Sequence, residues 1–194
     1  AQLNNSICLY NIQEYNKAII ELNKSLDINP YNHKSYYYLG LSHIELNNYP
    51  KAIQNFNQSL LLDPSNCEIY FNLGKAYYNS GKFIQAREAF NQTIQLNPQF
   101  GLAYYYQGMI NEKIMNFDEA IENYKKALKL SSKIEDLYYR LGVLLYKTDN
   151  LKEAMEPLRT YIIYQPDSLH ILEYLGEIFM YENRFSEAID TYKR

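Results

Sequence analysis

The sequence predicts an all-α fold, a solenoid of antiparallel helix pairs, from three observations made when the chain is slid against itself by 34 residues. Glycine recurs at Gly40, Gly74, Gly108, Gly142 and Gly176. Alanine recurs at Ala18, Ala52, Ala86, Ala120, Ala154 and Ala188. Proline recurs at Pro30, Pro64, Pro98 and Pro166, with Ser132 in its place once, and the register needs no gap. A fixed period of this length marks a unit that cannot bury its own apolar face and buries it by stacking on neighbours.

The stretch Tyr70 to Pro98 shows the physics of one unit. Glycine inside a helix costs about 1 kcal/mol against alanine, so five in one phase imply a close approach. Gly74 falls in the first helix and Ala86 near the start of the second, and with almost no side chain at either the two helices can cross tightly. Tyr70, Leu73 and Tyr77 run i, i+3, i+7, the apolar stripe of an amphipathic helix. Phe83 and Phe90 fill the space between helices, and Pro98 ends the unit because it cannot continue a helix. Counted along the unit, positions 4, 7, 8 and 11 of the first helix are expected to face inward.

Quoted as a pattern, Tyr70-x2-Leu73-Gly74-x2-Tyr77, Ala86-x3-Phe90 and Pro98 resemble the tetratricopeptide repeat. The resemblance runs the length of the chain and implies a right-handed superhelix. The first repeat, 1–32, is partial: Gln2, Asn5 and Ser6 stand at the large, leucine and glycine places, which predicts fraying, while Ala18, Leu22, Ser25 and Pro30 are regular. Repeat two, 33–66, carries Tyr36, Leu39, Gly40, Ala52, Phe56 and Pro64, with His43 at a tyrosine place. Repeat three is 67–100. Repeat four, 101–134, keeps Tyr104, Gly108, Phe117, Ala120, Tyr124 and Ala127 but has Gln107, Asn111 and Ser131-Ser132 off the pattern. Repeat five, 135–168, has Tyr138, Leu141, Gly142, Leu145, Ala154, Leu158 and Pro166. Its Pro157 lies inside the second helix and predicts a kink, and Tyr161 overfills a small position. Repeat six, 169–194, stops in its second helix. Neither end has a capping repeat, so the chain reads as a piece of a longer protein.

Composition narrows the function. Of 194 residues 47% are hydrophobic, enough for a continuous core, and the net charge of −3 argues against sequence-blind binding to nucleic acid or an anionic membrane. No run of about 18 apolar residues occurs. Cys8 and Cys67 sit at different phases with no metal or redox spacing and read as reduced thiols, which fits a cytoplasmic setting. His33, His43 and His170 lack ligand partners at metal spacing, and His43 reads as a core substitution. No phosphate loop or nucleophile motif is present, and Asp118, Glu119, Glu153 and Glu156 read as solvated faces and dipole partners, so neither an enzyme nor a cofactor is expected. Asn23-Lys24-Ser25, Asn57-Gln58-Ser59 and Asn91-Gln92-Thr93 fall in phase inside second helices, where the hydroxyl residue fills a small packed place.

In tetratricopeptide repeat proteins the stripe at positions 2, 5, 9 and 12, with position 6 beside it, lines a concave groove. The resemblance carries that groove to Tyr37, Tyr38, Phe71, Asn72, Lys75, Tyr78, Tyr105, Tyr106, Tyr139, Arg140 and Tyr146. Tyrosine and arginine suit protein recognition, pairing large rigid contacts with a polar handle. The alternative is that the fifth-position rings pack against neighbouring first helices.

The resemblance thus implies a scaffold binding a peptide or helical segment of a protein partner. The chaperone-tail clamp needs lysine at a fifth position, and none stands there, so a chaperone carboxy-terminal tail is not expected. Two further readings are an arm of an O-linked N-acetylglucosamine transferase-like enzyme and a structural subunit of a large assembly such as ciliary transport machinery. The first is weakened because Tyr38, Tyr106 and Arg140 break the sixth-position asparagine ladder. The alanine phase should reject bulk: Ala86→Leu or Ala120→Leu should cost about 1–3 kcal/mol in denaturant melts. Lys82→Leu, in the turn, should cost under about 0.5 kcal/mol.

Overall fold

The computed structural model describes residues 2–131 and 134–194, so the expectation attached to Ser132 lies outside the described residues. Among those residues there are twelve α-helices and no strand. They run α1 Gln2–Asn11, α2 Tyr15–Ile28, α3 His33–Glu45, α4 Tyr49–Leu62, α5 Cys67–Asn79 and α6 Phe83–Leu96. After these come α7 Gly101–Lys113, α8 Phe117–Leu130, α9 Glu135–Lys147, α10 Leu151–Tyr164, α11 Leu169–Tyr181 and α12 Phe185–Tyr192. The fold is an all-α helical solenoid in which consecutive helices pair and, within each of two units, neighbouring pairs pack on one another. The chain forms two compact units, Ala1–Ala103 and Tyr104–Arg194, dividing within α7.

Each helix pair closes on one contact. A Cβ on Gly40 would meet the Phe56 ring at 2.5 Å, and one on Gly74 would meet the Phe90 ring at 2.6 Å. Gly108 lies under Tyr124, Gly142 against Leu158 and Gly176 under Tyr192 in the same way. The glycine therefore accommodates the large side chain at position 24 of the second helix, four residues beyond the alanine that the sequence paired with it. The alanines are themselves fully buried at Ala18, Ala52, Ala86, Ala120, Ala154 and Ala188. In the first pair Ser6 takes the glycine place, opposite the smaller Leu22, and is buried with its Oγ donating to the Gln2 carbonyl at 2.9 Å.

The inward stripe differs from the expectation at position 4. Tyr36, Tyr70, Tyr104 and Tyr138 are half-buried, whereas position 3 (Ser35, Ile69, Ala103, Leu137, Ile171) and position 10 (Ser42, Ala76, Ile110, Leu144, Ile178) are buried. A first helix in a stack touches the preceding pair as well as its own partner, so its apolar arc is wider than the single stripe of an isolated hairpin. Hydroxyls fit this arc because they are satisfied locally: Ser42 Oγ donates to the Tyr38 carbonyl at 2.8 Å. Ser59 Oγ reaches the His33 carbonyl at 2.8 Å and Thr93 Oγ1 the Ala89 carbonyl at 3.0 Å, which accounts for the in-phase hydroxyl residues.

Other departures are local. His43 is buried, its Nδ1 makes no hydrogen bond, and burial followed by the Lys51 charge lowers its pKa. Pro157 sits inside α10, buried, in a helix of fourteen residues like α4 and α6. Tyr161, too large for its usual place, stays half-buried with its ring 5.2 Å from Tyr139. The degenerate first segment is helical from Gln2.

Every turn inside a pair carries a left-handed residue at one phase: Gln13 (φ 64), Asn47 (φ 55), Gly81 (φ 77), Met115 (φ 59), Asp149 (φ 61) and Asn183 (φ 61). The following N–H closes back over five residues, as in Asn48 to the His43 carbonyl at 2.8 Å, the bond of a Schellman cap. A left-handed L-residue costs about 1–2 kcal/mol, part of which glycine recovers against its looser unfolded chain. Met115→Gly, in an exposed turn, should therefore stabilise the protein by about 0.5–1 kcal/mol, and Gly81→Met should destabilise it by a similar amount. Urea unfolding midpoints of the two variants should move in opposite directions.

Candidate functional site

In the first unit the groove positions are carried by α1, α3 and α5. Tyr37 and Tyr38 meet edge to face at 5.5 Å, and Tyr38 meets Tyr10 of α1 at 5.7 Å. Tyr37 also lies 6.0 Å from Phe56, the ring that covers Gly40. Asn72 Nδ2 donates to the Tyr37 hydroxyl at 3.1 Å and to the Glu68 carbonyl at 2.9 Å, tying α5 to α3. The Tyr37 phenol is pushed up in pKa, first by burial and then by the Glu68 charge, so it accepts this bond as a neutral hydroxyl. Phe71 is buried, 5.8 Å from Phe90 and 4.7 Å from Phe100, with Lys75 Nζ 5.9 Å above its ring. Tyr78 lies 5.5 Å from Phe83.

In the second unit the sequence-predicted residues join a polar network that single positions did not reveal. Tyr105 is buried, 6.1 Å from Tyr124 and 5.6 Å from Tyr106, and its hydroxyl donates to Asp136. Arg140 Nε donates to the same carboxylate at 2.5 Å, and its Nη1 donates to Glu112 Oε2 at 3.1 Å. Tyr124 donates to that Glu112 oxygen at 2.6 Å. Burial opposes the Arg140 charge, but Asp136 together with Tyr124 and Tyr105 outweighs it and raises the pKa. The Tyr105 and Tyr124 phenols are raised too, by burial first and then by Asp136 and Glu112 respectively. Arg140 is thus paired with two carboxylates of its own chain.

A second cluster lies on α9 and α11. Tyr146 and Tyr174 stack at 4.1 Å and 15°, and Tyr146 donates to Glu177, which with partial burial pushes its pKa up to about 12. His170 stands edge-on to Tyr174 at 6.2 Å and to Tyr139 at 5.8 Å. Sequence reading placed Glu112 and Tyr174 on the groove stripe but left out Asp136, Tyr124, His170 and Glu177. Asp136 was recoverable, because it lies four residues before Arg140 on one helix face. The pairing of Tyr146 with Glu177 joins two repeats and has no local signal.

Among the described residues no group of three or more His, Cys, Asp or Glu is placed to hold a metal ion. No helix of the described residues is long and apolar enough to cross a membrane. Cys8 and Cys67 are free thiols.

Comparison with known families fits this geometry. Models described as TPR repeat and Tetratricopeptide repeat match residues 40–81 and 21–54. One described as Tetratricopeptide repeat protein 21 C-terminal ARM domain matches residues 65–171, more than half of the chain. The chain belongs to the tetratricopeptide repeat family. No curated protein matches it. Among solved structures, this repeat protein is similar to pilF of Pseudomonas aeruginosa, with a TM-score of 0.83 at 16% identity over 98% of this chain and 87% of that one. It is also similar to MamA (TM-score 0.70, 25% identity, 83% and 88% covered) and to YrrB (TM-score 0.72, 22% identity, 89% of each). YrrB is described as a TPR protein with an unusual peptide-binding site. In general terms the tetratricopeptide repeat fold indicates protein–protein interaction.

The burial of the rings reverses one expectation about this repeat protein. Tyr105 at position 5 is 8% exposed, while Tyr104 at position 4 is only half-buried. Tyr105→Ala should therefore destabilise more than Tyr104→Ala, by about 1–2 kcal/mol, since truncating a well-buried aromatic costs about 3–5 kcal/mol. Parallel chemical melts of the two variants measure the order.

Proposed function

We propose that this chain is a non-catalytic interaction scaffold that binds a peptide or helical segment of a partner protein through the first-helix face at positions 2, 5, 6, 9 and 12. The observation that carries the reading is the row of half-buried aromatics on that face: Tyr37 and Tyr38 in the first unit, and Tyr106, Tyr139, Tyr146 and Tyr174 in the second. Half-buried rings held by neighbouring rings combine apolar area, small rotamer loss and a polar tip, the features of a recognition surface. The peptide-binding site in the description of YrrB, a structure of similar fold, adds support.

Phe71 and Tyr105 enter this reading as supports beneath the surface. Their rings hold the first helix against its partner, and the residues beside them make contact.

The test is selection from a random peptide display library on the intact chain, followed by calorimetry with the enriched peptides. Tyr146→Ala combined with Tyr174→Ala should weaken the best peptide by about 30-fold, the size of a hot-spot truncation. The melting temperature should move far less than in Tyr105→Ala. A library yielding no binder, or binders indifferent to the double substitution, would remove the first-helix face as the site.

A further inference from the structure

We infer that the second unit's share of this face takes a cationic peptide segment, with an arginine or lysine side chain seated against the Tyr146–Tyr174 pair beside Glu173 and Glu177. The inference rests on the peptide-binding reading and adds the chemistry of the occupant. At the groove positions of α7, α9 and α11 stand four carboxylates, Glu112, Asp136, Glu173 and Glu177, and one strong cation, Arg140. Arg140 is occupied by Glu112 and Asp136. Glu173 and Glu177 are exposed and form no ion pair among the described residues, and the partner of Glu177 is a neutral phenol. Two carboxylates thus stand without an ion pair on α11, next to the stacked rings, with Arg194 across the hollow that Glu173 borders on its other flank.

The aromatic part selects the same ligand. The two rings stack at 4.1 Å and are continued through His170 towards Tyr139. A guanidinium or ammonium group over such π-faces gains electrostatic attraction, and carboxylates close by add to it. Beside the pair, a hollow of about 440 Å³ bordered by Tyr146, Glu177 and Tyr181 leaves room for a long aliphatic stem. Lys147 and Asp149 also border it and offset each other in charge. The first unit carries Lys34, Glu68 and Lys75 at its corresponding positions, so charge complementarity for a cationic ligand belongs to the second unit. An anionic segment, a nucleic acid or an anionic lipid surface would meet repulsion there.

The test compares three fluorescein-labelled nine-residue peptides by anisotropy: alternating Arg and Ser, alternating Gln and Ser, and alternating Glu and Ser. The Arg peptide should bind at least about tenfold more tightly than the Gln peptide at 50 mM salt, with the advantage shrinking at 300 mM. Glu173→Gln with Glu177→Gln should erase most of that advantage, and Tyr174→Ala should reduce it. Glu88→Gln with Glu122→Gln, the same charge change on exposed second-helix positions, should leave it intact. Loss of the advantage in this control pair, or equal binding of the Gln or Glu peptide, would overturn the cationic assignment. Display selection separates the two readings. Enriched peptides with no excess of arginine or lysine would leave peptide binding standing and remove the inference, whereas recovery of no peptide would remove both.

Discussion

Contact between a glycine on one helix and a ring on its partner underlies the rest of this structure. At Gly40, Gly74 and Gly108 the missing Cβ lets Phe56, Phe90 and Tyr124 lie on the helix backbone. Any side chain there would have to push the ring away and widen the pair. The same rings then touch the fifth-position residues Tyr37, Phe71 and Tyr105 from the other side. Core and candidate surface are therefore one continuous stack: glycine, second-helix ring, first-helix ring, and finally the exposed polar tips. Where the ring is absent the stack adapts, with Leu158 over Gly142 and Tyr139 leaning on Tyr161 instead.

This arrangement explains why Phe71 and Tyr105, at the fifth position, act from beneath the surface. Their aromatic bodies belong to the pair that carries them, and what they present outward is a hydroxyl or a neighbour. Tyr105 shows this most fully, with its ring buried and its hydroxyl spent on Asp136. The same network pairs Arg140 with two carboxylates of its own chain, Asp136 and Glu112. Residues one position or one turn away, such as Tyr106 and Tyr174, retain accessible surface.

Much of the fold was legible because its determinants are periodic. Glycine and alanine at fixed phase, apolar spacing along each first helix and a proline near the end of most units all act locally, so one chain displays them without structural help. What stayed hidden depends on a third helix. Ser35 at position 3 is buried where Ser25 of the preceding pair meets it, and nothing in a single hairpin's pattern separates Ser35 or Ser42 from a solvent-facing serine. The site was legible as a set of positions but not as chemistry. The i, i+4 pair Asp136–Arg140 could be read from one helix, while Glu112 reaches Arg140 across 28 residues.

The left-handed turn residues set limits on how this architecture tolerates changes of length. Each intra-pair turn is closed by a backbone bond spanning five residues, so it has no slack. One inserted residue that was passed into the following helix would rotate that helix by about 100° and carry its ring off the glycine. Segments between pairs, such as 97–100, are not bound to that register in the same way. For splitting, tagging or circularly permuting the molecule, the suitable joints are therefore those between pairs, and the turn inside each pair is best treated as part of the helices it connects.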